Sequence, residues 1–387
     1  MAANKKTFYI ICILGFFIYF AHALTLYIQS SYLQKIVDVQ YIGLFVTLAT
    51  IVNLLVIYAF PQFIKQFTNY WVMVSVTIAY IFGTIFFLIS QHILTVLIFY
   101  VIQFVSIILI GINLDIFLEN ITENKRTGKT RTLFLTFINS AIVLGPLVAG
   151  FIIDDTENYG PTFIASAGMA AIVLGILLFT RKYLKDRVQY NRRPVVDLFK
   201  ILKSNASMLH IFSLSFVLRI FYAIMVIYTP LYLHTNIGFS WETIGIIFPI
   251  ILLPFVVLEL PAGQLADKYF GEKEMLILGM VIMAFFTGLM FFISSQSVYL
   301  WTGILFMTRV GAALVEAMQE VYFFKIVNKK DIDIINLFRD MTPLGWLFAS
   351  AISVVILKFY SIQYLFLFLA IIIILNLISA IQLKDTK

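Results

Sequence analysis

Charge is scarce in this sequence. Of its 387 residues only 12% are Asp, Glu, Lys or Arg, about half the share of an ordinary soluble domain. A soluble chain of this length needs a polar surface, and so few charges cannot build one. Cysteine is nearly missing as well. Cys12 is the only one, which excludes an intrachain disulfide and a cysteine metal cluster. There is no Gly-x-x-x-x-Gly-Lys-Ser/Thr loop, no His-Glu-x-x-His and no Gly-x-Ser-x-Gly. ATP-driven, zinc-dependent and serine-nucleophile chemistry therefore have no carrier, and neither an enzyme activity nor a metal or other cofactor is expected.

What is present is apolar. Hydrophobic residues make up 61% of the chain, with 39 Phe and 20 Tyr, and the mean hydropathy is +0.98. One membrane span needs about 20 apolar residues, so this chain has room for about twelve. Apolar runs separated by polar punctuation fall at 7–30, 41–64, 70–90, 93–118, 131–153, 161–181, 206–233, 242–264, 274–294, 297–324, 334–357 and 361–382. They lack the period-two alternation of a membrane barrel strand. The expected fold class is therefore an all-α membrane protein of twelve transmembrane helices. Met1–Lys6 reads as the short basic flank of the first span rather than as part of a cleaved signal.

The cations set the orientation. With the N-terminus placed in the cytoplasm, 22 Lys and Arg fall in inner segments and 2, Lys35 and Lys358, in outer loops. Both termini are then cytoplasmic by the positive-inside rule. The net charge of +7 is explained by those inner segments, and no nucleic-acid partner is implied. The stretch at 182–205 is the longest outside the spans. It carries Arg192-Arg193-Pro194, and its Val195, Leu198, Phe199 and Leu202 have helical spacing. It reads either as an amphipathic surface helix or as a solvated linker. It divides the chain into an N-terminal bundle at 1–181 and a C-terminal bundle at 206–387.

The halves repeat. Asp115 and Glu119 are spaced like Glu316 and Glu320, with an offset of 201 residues for both pairs; Lys65 and Asp267 are 202 apart, and Pro146 and Pro343 are 197 apart. Duplicated halves suit alternating access to a site near the bilayer midplane.

After the eighth run the chain reads Pro261-Ala-Gly263-Gln-Leu265-Ala266-Asp267-Lys268-Tyr-Phe-Gly271-Glu-Lys273. This resembles the Gly-x-Leu-Ala-Asp-Arg-x-Gly-Arg-Lys loop of the major facilitator superfamily. The corresponding stretch after the second run, 60–69, has Pro61 and Lys65 where the first Gly and the Asp of that loop are expected. Gly145-Pro146-Leu-Val-Ala149-Gly150 resembles the Gly-Pro-x-x-Gly-Gly element of the superfamily's drug–proton antiporters. The span 4 Arg of many members is missing, and Gln103 stands in that region. The resemblance implies a fold of two six-helix bundles and secondary transport of a small organic solute. Proton-coupled efflux is the leading expectation. Proton symport, or a non-transporting sensor or scaffold that kept the fold, are the alternatives. Read physically, Gly263, Asp267, Lys268, Gly271 and Lys273 form a gating loop, with Asp267 a latch onto a helix N-terminus or only a turn cap. Gly145, Pro146 and Gly150 form a helix-kink motif.

Charges at membrane depth cost several kcal/mol and are functional candidates by default. Six are placed there: Asp115, Arg219, Glu259, Arg309, Glu316 and Glu320. Arg309 and Glu316 are two helical turns apart, about 10.5 Å, with Glu320 one turn further on the same face. Glu316 and Asp115 are the proton-coupling candidates, since a carboxylate between desolvation and an Arg can exchange a proton. Arg219, Arg309, Glu259, Glu320, His22, Asn113 and Gln103 are candidates for lining a cavity or pairing charges. The expected partners are the lipid bilayer of the cell membrane, a small-molecule substrate and protons, with the chain a monomer.

Overall fold

The computed structural model describes residues 2–121, 127–153, 157–184, 206–258, 261, 266, 271–327 and 332–384. Among these the regular structure is helical, with no strand. In chain order the helices are α1 (Ala2–Leu26), α2 (Gln29–Gln34), α3 (Val39–Ile89), α4 (Ile93–Ile121), α5 (Thr127–Ile152), α6 (Gly160–Thr180), α7 (Ala206–Tyr232), α8 (Trp241–Val257), α9 (Glu272–Phe292), α10 (Val298–Ile326), α11 (Ile332–Phe359) and α12 (Gln363–Ile381). A 3-10 turn, Arg181–Tyr183, follows α6.

Among the described residues, eleven helical segments are long and apolar enough to cross a membrane. Two of them, Val39–Phe60 and Gln66–Ile89, are arms of α3, bent at Thr68, whose φ of 63° and ψ of 153° are not helical. Such a dihedral pair in a β-branched residue costs about 1–3 kcal/mol and bends the chain just inside the second of these spans. A twelfth apolar helix, α8, is shorter at 17 residues and contains Pro249 and Pro254. Its described length falls short of the run expected at 242–264, because the residues beyond Leu258 lie largely outside the described set.

The chain forms two compact units. Unit 1 comprises Met1–Tyr190 with Ser240–Ile246, and unit 2 comprises Asn191–Phe239 with Ile247–Lys387. Helix neighbours follow one scheme in both. In unit 1, α1 packs against α4, α5 and α6, and α3 packs against α4 and α6. In unit 2, α7 packs against α10, α11 and α12, and α9 packs against α10 and α12. The repeat seen in the acidic spacing is thus a repeat of packing.

Glycine sets the closest approaches. A Cβ on Gly83 of α3 would lie 2.9 Å from the Gln103 backbone nitrogen of α4, and one on Gly279 of α9 would lie 2.9 Å from the Gly311 carbonyl of α10. Small residues let helices touch where lipid offers no hydrophobic drive. The outward faces are apolar: Phe179, Phe292, Tyr58 and Leu375 are exposed, as expected where the solvent is hydrocarbon.

Candidate functional site

In unit 2 the charged candidates converge. Arg219 and Tyr222 are three residues apart on α7, so they share a face, and that face meets Glu316 of α10. Arg219 donates from Nη1 to Glu316 Oε1 at 3.0 Å, and the Tyr222 hydroxyl donates to Oε2 at 2.7 Å. Both carboxylate oxygens are therefore held by one neighbouring helix. The side chains of Arg219 and Glu316 keep 18% and 24% of their surface open. The pair is neither sealed in a dry core nor fully in solvent. A charge pair in low dielectric needs such added hydrogen bonds to offset its desolvation.

The surroundings sharpen this centre. The Arg219 guanidinium lies 5.6 Å from the Tyr222 ring, and that of Arg309 lies 5.2 Å from the Phe221 ring. Arg309 is 3% exposed, whereas Glu320, one turn beyond Glu316, is exposed and within electrostatic reach of Arg219. The shared face of α10 thus runs from buried to open. Gly345 of α11 packs against Arg219: a Cβ there would stand 2.5 Å from the Arg219 Cβ and 3.1 Å from its carbonyl carbon.

In unit 1 the candidates are more scattered. Asp115 of α4 is exposed and acts electrostatically on Tyr19 of α1. The Tyr19 hydroxyl lies where a Cβ on Gly111, one turn before Asp115, would come within 2.6 Å of it. His22 is one turn further along α1, and its buried Nδ1 has no hydrogen-bond partner. The Asn113 side chain is fully buried and donates from Nδ2 to the Leu109 carbonyl at 2.7 Å, while the Asn113 main-chain carbonyl accepts from Asn69 Nδ2 at 3.2 Å.

Gln103 anchors a neutral network. It accepts from Gln29 Nε2 at 2.7 Å and donates to Thr84 Oγ1 at 3.0 Å; Thr84 in turn donates to the Tyr80 carbonyl at 2.8 Å. The Tyr80 hydroxyl is 3.2 Å from Ser166 Oγ, which donates to the Ala21 carbonyl at 2.7 Å. Ser166 has one proton to give, so Tyr80 is the donor between them. These contacts tie α2, α3, α4, α6 and α1 together by hydrogen bonds without a formal charge.

Gly145 of the Gly-Pro element packs against α1, where an added Cβ would meet the Ala23 Cα at 3.0 Å. Pro146 does not end α5, which continues to Ile152. Gly150 faces Gly245, whose Cα would lie 2.8 Å from an added Cβ. Nearby, Trp241 Nε1 donates to the Tyr159 hydroxyl at 3.0 Å, and Lys35 pairs with Glu157 at 3.3 Å. Burial, then the Glu157 charge, hold the Tyr159 phenol above its ordinary pKa.

Of the loop after α8, Gly271 is described: it caps α9 with φ 93° and ψ 157°, and its N–H donates to the Ala266 carbonyl at 2.9 Å. Lys273 is half-buried in the first turn of α9. Gly263, Asp267, Lys268 and Glu259 lie outside the described residues. Among the described residues no group of three or more His, Cys, Asp or Glu is placed to hold a metal.

The sequence profile of the Major Facilitator Superfamily matches residues 11–329 and again 242–386. The chain belongs to the Major Facilitator Superfamily. It is a multi-pass membrane protein and a secondary transporter of a small molecule, not an enzyme. Solved structures similar to this superfamily member include the nucleoside transporter NupG, at 14% identity and a TM-score of 0.78, covering 97% of this chain and 98% of that one. A peptide transporter, POT, solved in complex with sulfate, has 14% identity and a TM-score of 0.73 over 98% and 93% of the two chains. An inward-facing bacterial homolog of the human lysosomal transporter Spinster has 9% identity and a TM-score of 0.73 over 98% and 97%. At such identities the likeness concerns the fold. No curated protein matches the sequence.

Several residues of this superfamily member escape a reading by motif. Tyr222 is one tyrosine among 20, and only its spacing of three from Arg219 sets it apart. Glu272 is 1% exposed and ion-paired with Lys325 of α10; its position beside Gly271, at a helix N-terminus, is the available signal. Gln29, Thr84, Tyr80 and Ser166 are ordinary polar residues until the helices pack.

Proposed function

We propose that this transporter exports a small, largely apolar organic solute in exchange for protons, with Glu316 as the proton carrier. The observation that carries this reading is the double grip on the Glu316 carboxylate by Arg219 and Tyr222. An ionised Glu316 binds both donors. A protonated Glu316 keeps its place but loses the charge that holds Arg219, leaving a cation unpaired in a low-dielectric setting. The two protonation states therefore favour different arrangements of α7 and α10. A ligand that prefers one arrangement is then linked to proton binding. Asp115 is the second candidate carrier, in an exposed position beside Tyr19. The antiport direction rests on the Gly145-Pro146 and Gly150 element.

The remaining assignments belong to the same proposal. The bundles at 1–181 and 206–387 are joined by a basic cytoplasmic linker at 182–205. Both termini face the cytoplasm of a cell-membrane monomer. Asp267 latches the loop at 263–273. Arg309, Glu259, Glu320, His22, Asn113 and Gln103 line the path or pair charges around it.

The test uses the full chain in proteoliposomes, with a compound chosen by its thermal stabilisation of the protein, since a ligand stabilises the state it binds. Proton-driven accumulation and proton-independent exchange are measured separately for Glu316→Gln. Loss of accumulation with survival of exchange is expected. Unchanged accumulation contradicts the assignment.

A further inference from the structure

A second polar cluster lies in unit 1, where α1 begins and α6 ends. The 3-10 turn after α6 presents Arg181, Lys182 and Tyr183 in succession. The Arg181 guanidinium lies 4.9 Å from the Trp71 ring and 5.7 Å from the Tyr70 ring. Lys182 and Lys6, the latter reaching over from α1, place their ammonium groups 5.2 and 4.8 Å from the Tyr183 ring. All three cations are exposed, and among the described residues none is in an ion pair.

We propose that this cluster binds the headgroup of an anionic phospholipid. Three like charges gathered within one short turn and the helix beside it repel one another. Their aromatic contacts offset only part of that cost. The negative end of α6 helps to hold them. Lys6 and Lys182 also reach the Tyr183 hydroxyl, but each ammonium carries three N–H groups and a ring face takes no conventional hydrogen bond, so N–H donors remain for an acceptor. Trp71 is 45% exposed, and Trp and Tyr collect at the level of the headgroups. At that depth the abundant acceptor is a phosphodiester. Arg181 can grip it through two N–H groups, while Lys6 and Lys182 act as point charges. Basic pockets at the ends of transmembrane helices take anionic headgroups on these grounds. A zwitterionic lipid brings its own cation and gains less from three positive neighbours.

The test is native mass spectrometry of the purified full chain with added dioleoyl phosphatidylglycerol or dioleoyl phosphatidylcholine, and separately with soluble glycerol 3-phosphate. The expected result is preferential retention of phosphatidylglycerol, with its affinity falling about fivefold for each of Lys6→Gln, Arg181→Gln and Lys182→Gln. Lys35→Gln removes the same charge from a residue paired elsewhere and leaves that affinity unchanged. Arg181→Lys retains most of it, which separates lost charge from lost folding. Equal retention of both lipids overturns the proposal. So does an equal loss in Lys35→Gln, which would make the effect one of net charge. Glycerol 3-phosphate binding as tightly as the lipid would also overturn it, by making this a site for free phosphate.

Discussion

The two units solve the same packing problem and then part in chemistry. In unit 1, Gly145 of α5 presses on Ala23 of α1; in unit 2, Gly345 of α11 presses on Arg219 of α7. The helix pairs correspond, and in both the contact is at a Cβ and the main chain, but one partner is an alanine and the other an arginine. Around that difference unit 1 has built a buried network of amides and hydroxyls through Gln103, and unit 2 a charged centre of Arg219, Tyr222 and Glu316. Duplication fixed which helices touch and left the polar groups between them free to diverge. A neutral network locks helices in place. A charge pair that remains reachable can respond to a proton. On the proposed function, the first centre supplies rigidity and the second the switch.

The largest effect is expected from Arg219→Met. It leaves the Glu316 carboxylate without its cation, at a cost of up to about 3–5 kcal/mol for a pair this deep, and it abolishes proton-driven transport. Denaturant unfolding in detergent and vesicle uptake measure the two losses. Restoring an apolar pair with Arg219→Met and Glu316→Met together is expected to recover most of the stability and none of the coupling. Recovered coupling would erase the distinction between the units.

Gly345→Ala comes next. The added methyl meets Arg219 at 2.5 Å, and overpacking of this kind costs about 1–3 kcal/mol. Gly145→Ala makes the matching intrusion in unit 1. Both are expected to lower thermal stability, but only Gly345→Ala should also lower the number of protons moved per substrate. Equal coupling defects in both would show that helix spacing, rather than the charged centre, governs the exchange.

Gln103→Leu removes two network hydrogen bonds, each worth about 0.6–2 kcal/mol in a membrane helix pair, and is expected to reduce stability while leaving coupling intact. Tyr222→Phe is the mildest change. It removes one of the two grips on Glu316, about 1 kcal/mol, and should slow proton-linked exchange several-fold without abolishing it. Rates from stopped-flow dye release would register either outcome.

Much of the architecture could be read before any coordinates. Lipid demands long apolar helices, so composition exposed the spans, and Asp115 and Glu316 gave away the duplication by their offset. Arg219 and Glu316 were visible as charges out of place. Their pairing was one of several left open, Arg219 or Arg309 with Glu316 or Glu259, because α7 and α10 are distant in sequence and nothing local says which faces meet. Tyr222 and Gly345 gain meaning only from that meeting. The neutral network was hidden for a simpler reason: Thr84, Tyr80 and Ser166 look like any polar residues in an aromatic-rich chain. The break between the runs at 41–64 and 70–90 was legible, but that Thr68 carries the bend was not, since it is neither Gly nor Pro.

The central claim is that coupling sits in unit 2, at Glu316. The most direct measurement is the number of protons released per substrate bound, read with a pH-sensitive dye in weakly buffered detergent solution, for Glu316→Gln beside Asp115→Asn. The account predicts that proton release vanishes in Glu316→Gln while substrate still binds, and persists in Asp115→Asn. Proton release that persists in Glu316→Gln and vanishes in Asp115→Asn would contradict it, and would move the switch to unit 1.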